Sequence, residues 1–127
     1  MSASNYLEAA ILNHIFDEAE FTAPTWYVAL STTTPDETGN VTEPDDPGVY
    51  ARQALGATTL MGNSVSNDAE ITFPTAETNW GTVTHFALYD ADEDGNLLGS
   101  GALAASKAVT IGDTVKFAAG ALTITLD

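Results

Sequence analysis

Apolar positions recur at helical spacing only once, in the first 17 residues. Leu7, Ile11 and Ile15 follow one another at i+4, and Leu12 and Phe16 widen the stripe. Asn5 reads as the N-cap, with Glu8 three residues later completing a capping box. A helix of about four turns is marginal by itself in water. It must therefore dock on its own domain or on a partner, and Leu7, Ile11, Ile15 and Phe16 are the expected partner contacts.

Beyond residue 21 the pattern changes to short β-rich runs. Residues 26–31 (WYVALS), 50–60, 69–73, 82–89 (TVTHFALY), 97–103, 114–117 and 121–126 are the strand candidates, and 82–89 is the clearest. Eighteen threonines, many alternating with aliphatic residues, suit half-buried strands better than helices. The expected fold is mainly β, an antiparallel β-sandwich or small barrel of six to eight strands with one N-terminal α-helix. No repeat or linker divides the chain, so residues 1–127 read as a single domain: a helix within 1–17, then a β domain over 21–127.

Residues 33–49, TTPDETGNVTEPDDPGV, break the rhythm. They hold three of the five prolines, two glycines and five acids without a basic residue. Connections longer than about 12–15 residues in a compact domain tend to be functional or mobile. Asp36, Glu37, Asp45 and Asp46 thus read as a solvated, exposed interaction loop. The whole chain shares this acidity: 3 Lys+Arg against 18 Asp+Glu give a net charge of −15. Such a surface repels phosphate backbones and anionic headgroups, which argues against nucleic acid and membrane surfaces as partners. The absence of cysteine excludes disulfides and thiol chemistry. The opening residues lack the basic start of a signal peptide, so synthesis without export is expected.

Candidate chemistry is sparse. Asp90, Asp92, Asp94 and Gly95 begin like a calcium loop, but position 12 is Gly101, where a bidentate glutamate is needed. Asp94-Gly95 is also a hairpin-turn dipeptide, and the turn is the favoured reading over a weak divalent-cation site. His14 lies on the helix and His85 in a strand, and neither joins a catalytic pattern. No cofactor is expected. Arg52, in the segment YARQ just after the acidic loop, reads as a bidentate clamp that fixes that loop or a neighbour's carboxylate. Trp26, Tyr27, Trp80 and Tyr89 either stack on sugars, as in a carbohydrate-binding module, or fill the core.

Five blocks in serial order carry a resemblance: SASNYLEAAILNHIF, TWYVALSTT, YARQ, NWGTVTHFALYDA and GDTVKFAAGALTITLD. Together they resemble small bacteriophage virion proteins of the tail-fibre or capsid-fibre type. The resemblance implies a non-enzymatic virion protein, assembled in the host cytoplasm in many copies, that contacts other capsid or tail proteins. A fibre shaft needs repeats or a long coiled coil, and this chain has neither. A head decoration or capsid-fibre role is therefore expected ahead of a tail-fibre or receptor-binding knob that meets a host-surface glycan. A homo-oligomer, either a trimer or ordered neighbours on a lattice, is expected because multivalency strengthens weak surface contacts.

Overall fold

The computed structural model describes residues 2–16 and 23–125. It is a mainly β fold of three antiparallel sheets with one N-terminal helix. Strand β1 (Ser2–Ala3) precedes helix α1 (Asn5–Phe16). There follow β2 (Tyr27–Ser31), β3 (Gln53–Ala54), β4 (Thr58–Met61), β5 (Ser64–Asn67), β6 (Ile71–Thr72), β7 (Gly81–Tyr89), β8 (Leu97–Val109), β9 (Lys116–Phe117) and β10 (Thr123–Thr125).

The main sheet has the order β1-β8-β7-β2-β3, a second sheet runs β10-β5-β4, and β6 pairs with β9. Alternation assigns the two faces of the main sheet. Val28 and Leu30 of β2, Val83, Phe86 and Leu88 of β7, and Leu98 and Val109 of β8 enter one buried core. Across it pack Leu55, Ile71, Phe73, Val115, Phe117 and Leu122, from the smaller sheets and their connections. This is a sandwich-like arrangement. The opposite face carries a second cluster of Ala29, Ala87, Tyr89 and Leu97, with Val41 packed against it. Within residues 33–49, Val41 thus packs on this face and Pro44 and Asp46 are buried, while most of the remaining residues are exposed.

Two local readings change. The N-cap is Ser4, not Asn5: the Leu7 N–H donates to Ser4 Oγ at 3.2 Å, and the Glu8 N–H donates to the Ser4 carbonyl at 3.0 Å. The reason lies in β1, which holds the chain in the sheet through Ala3 and makes Ser4 the turning residue. The Ser4 hydroxyl in turn donates to the Leu97 carbonyl, while the Asn5 N–H donates to the Glu37 carbonyl at 3.2 Å. Residues 50–60 are also not one strand but β3 and β4, broken at Gly56 with φ 73°.

Helix α1 is attached at one end. Leu7 is buried in the main core and Ile11 packs against it. Its last turns leave Leu12, Ile15 and Phe16 at 55%, 60% and 74% exposure.

Candidate functional site

Arg52 joins two acidic loops, and the local sequence explains how. Strand β3 is only two residues long, so β2 loses its neighbour beyond Val28. Tyr50 meets the need this creates: the Leu30 N–H donates to Tyr50 Oη at 3.1 Å, and the tyrosine hydroxyl donates to Glu43 Oε1 at 2.8 Å. The Tyr50 ring stacks on Phe73 and meets Trp80 edge-on, with centroids 6.1 Å and 5.4 Å away. Tyr50 thereby anchors Glu43 to the core.

Arg52 then takes the same carboxylate bidentately, with Nε donating to Oε1 at 3.0 Å and Nη2 to Oε2 at 2.9 Å. Nη1 reaches the other way, donating to the Ala91 carbonyl at 2.9 Å and the Asp94 carbonyl at 2.8 Å. The guanidinium carbon lies 3.6 Å from the Tyr89 ring centroid, a cation–π contact at the end of β7. Its side chain is only 8% exposed, against 26% for Glu43. Burial works against the arginine's charge, but the hydrogen bonds and charge of Glu43 outweigh it and hold the pKa above its ordinary value. Burial first, and the Glu43 charge second, push both Tyr50 and Tyr89 upward, so both rings stay neutral.

The turn that Arg52 grips is built for a tight reversal. Asp94 and Gly95 both have positive φ, 53° and 74°. Asp90 closes the turn by accepting from the Asn96 N–H at 2.6 Å and from its side-chain amide at 2.9 Å. A Cβ on Gly95 would lie 2.5 Å from Asp90 Oδ1, so glycine is required here by space as well as by φ. This is the hairpin reading of residues 90–96. Asp90, Asp92 and Asp94 do not converge, and among the described residues no group of three potential ligands does so.

The four acids expected as one exposed loop divide into different roles. Asp46 is the correction: it is only 5% exposed. Its Oδ2 accepts from Trp80 Nε1 at 2.8 Å and from the backbone N–H groups of Glu77 and Thr78 at 2.9 Å and 3.3 Å. A buried indole N–H needs an acceptor, and Asp46 supplies it. The Trp80 hydrogen bond, ahead of those from Glu77 and Thr78, holds its pKa below the usual carboxylate value. Its stabilising contribution is therefore present above the ordinary aspartate pKa and lost as pH falls through the lowered one.

Asp36 is exposed but occupied. Its Oδ1 accepts from the N–H groups of Thr38, Gly39 and Asn40, and from the Thr38 hydroxyl. The Thr38 hydroxyl and the Asn40 side chain lead in keeping its pKa well below the carboxylate range. Glu37 and Asp45 are exposed, and the Glu37 carbonyl ties the loop to the start of α1.

Of the four aromatic residues that either stack on sugars or fill the core, Tyr27 is half-buried in β2. Trp80 and Tyr89 are buried, at 5% and 7% exposure, and Trp26 packs against the core. His85 exchanges a 2.8 Å hydrogen bond with the hydroxyl of its neighbour Thr84, and His14 lies on the exposed part of α1. Sequence reasoning missed Glu43 as the partner of Arg52, and Tyr50 as the group that positions it. The spacing Glu-x6-Tyr-x-Arg was the available signal, hidden among the other loop acids.

The arrangement is a brace: each guanidinium nitrogen of Arg52 donates to a loop acceptor. A protein-family model for the podophage GP4 fiber I protein gp80 matches residues 2–125. The chain belongs to this family. The fibre-type resemblance carried by the five sequence blocks is thus established over nearly the whole chain, and the protein is a structural component of the phage virion. Comparison with curated proteins gives no match. In this fibre-family protein, the acidic loops 33–49 and 90–96 form one braced surface held by Arg52, while the exposed apolar residues of α1 form another.

Proposed function

We propose that this gp80-family protein is a non-enzymatic surface protein of the virion. It decorates the head as a capsid fibre, with the far end of α1 in the assembly contact and the braced acidic loops turned outward. The observation that carries the reading is the contrast between these two surfaces. Leu12, Ile15 and Phe16 present an apolar stripe to solvent, which marks an interaction site. The loop surface instead exposes Glu37, Asp45, Asp92 and Glu93, charges that hydrate well and resist burial. A short sandwich without a coiled coil among its described residues suits a shell-bound domain better than a shaft.

Electron imaging of particles labelled with antibody to this protein tests the assignment. Label distributed over the head is the expected result. Label confined to the tail tip would overturn it in favour of a tail-fibre or receptor-binding knob.

A further inference from the structure

We infer that this protein carries a saccharide site: the pocket beside Trp26 takes an uncharged hexopyranose, with the indole stacked on the apolar face of the sugar ring. Such a site adds a small ligand to the assembly role proposed above, and it does not depend on where in the particle the protein sits.

The pocket lies between the β3 edge of the main sheet and the second sheet. Trp26 stands one residue before β2, and the Leu55 N–H donates to its carbonyl at 2.8 Å, which fixes the residue after β3 beside it. Gly56, with φ 73°, then turns the chain into β4 of the second sheet. In that sheet Val65 of β5 and Ile124 of β10 are cross-strand partners. Trp26, Leu55, Val65 and Ile124 line the hollow between these elements, and Thr25 and Thr58 stand in its wall. Its volume is about 550 Å³, within the roughly 300–1,000 Å³ of small-molecule sites.

Charge narrows the class of ligand first. No lining residue of this pocket is ionisable. A chain of net charge −15 repels anions, and no carboxylate lines the pocket to pair with a cation. An uncharged ligand fits. The other apolar groove of the molecule, floored by Val83, Phe86 and Phe117, differs on each count. It is smaller, at about 250 Å³, it carries Lys107 and Lys116, and no indole lines it.

The polar groups narrow it further. Among the described residues, no hydrogen bond engages the Trp26 indole N–H or the hydroxyls of Thr25 and Thr58. Trp80 is the contrast, since its indole N–H is committed to Asp46. A wholly apolar ligand in the pocket would cover these three groups and strip them of water, at a cost for each. A hexopyranose avoids that cost. Its ring C–H groups make an apolar face for the indole and the aliphatic floor, and its hydroxyls both donate and accept. The indole supplies a donor, and each threonine hydroxyl supplies a donor and an acceptor. Trp26 itself packs against the core, so the stacking surface is held in place before the ligand arrives.

The test titrates the full chain with the methyl glycosides of glucose, galactose, rhamnose and N-acetylglucosamine, read by saturation-transfer NMR and by tryptophan fluorescence. At about 10 mM, a glycoside with a Kd near 1 mM fills roughly nine-tenths of the site. At least one of the four should give saturable transfer to its ring protons and a matching fluorescence change. Methyl glucuronide, an anionic sugar of the same size, should stay below detection. W26L removes the stacking surface, and T58E puts a longer, charged side chain in the wall. Each should weaken binding about tenfold or more. Thr58 is exposed, so T58E should fold as the native chain does, and circular dichroism checks both variants. K116E, in the other groove, should bind like the native protein. Four results would each overturn the inference: no binding of any of the four neutral glycosides, glucuronide binding as tight as that of the best of them, native affinity in folded T58E, or loss of binding with K116E alone. Particle labelling reads location and not sugar affinity, so the two tests fail independently.

Discussion

Replacing Arg52 by alanine is expected to lower Tm by about 5–15 °C, the equivalent of roughly 2–4 kcal/mol for stranding the partly exposed Glu43 and freeing two loop carbonyls. The loss has three sources. Glu43 keeps its tyrosine donor but loses both guanidinium bonds. The carbonyls of Ala91 and Asp94 lose their shared donor, and the Tyr89 ring loses the cation above it. Lysine should recover only part of the loss, because a point charge cannot span a bidentate carboxylate and two carbonyls at once. Scanning calorimetry gives the Tm values, and amide exchange should locate the loosening at residues 33–49 and 90–96 with the main core protected. A Tm within a few degrees of native would show that the loops hold themselves in place without the clamp.

Changing Leu12, Ile15 and Phe16 together to glutamine is expected to preserve the fold and abolish incorporation into particles. Glutamine is a good helix former, and all three side chains are exposed, so the Tm should shift by only a few degrees. Leu7→Ala is the contrasting variant. Leu7 lies in the core at 7% exposure, and its truncation should cost about 2–5 kcal/mol. Removing residues 2–16 outright is a poor probe of attachment, since it takes away β1, the Ser4 cap and Leu7 with the exposed face. Immunoblots of purified particles measure the copy number. Native copy number in the triple variant would show that the apolar end of α1 is not an assembly contact.

Where the side chains carried a strong period, the chain could be read directly. Strands β2 and β7 are rich in aromatic and β-branched residues, and α1 has its i+4 stripe; all three lie within about a residue of the expected bounds. Strand β8 was cut short at residue 103 because the following run, Ala-Ala-Ser-Lys-Ala, has weak strand preference. Pairing with β7 through Val83, Thr82 and Gly81 overrides that preference. Strand β5 was missed for a similar reason: Ser64, Ser66 and Asn67 give little hydrophobic alternation, although Gly62-Asn63 is a hairpin turn signal.

The candidate site was legible in one half only. A lone arginine beside an acidic loop stood out, and its chemistry pointed to a carboxylate. Which carboxylate it takes depends on the length of β3 and on the tyrosine hydroxyl that fills the gap, and both are tertiary facts. Asp46 escaped for the same reason. Its neighbour in sequence, Asp45, is exposed, and the donors that distinguish Asp46, the Trp80 indole and the Glu77 and Thr78 N–H groups, lie more than 30 residues away in sequence.

Hydroxyl-radical footprinting of intact particles, compared with the isolated protein below its association range, tests the orientation of this virion protein most directly. Strong protection of Leu12, Ile15 and Phe16 is expected in the particle, with the exposed surface of residues 36–40 and 92–96 labelled as in the free chain. Protection of those loops together with full labelling of the three helix residues would contradict it.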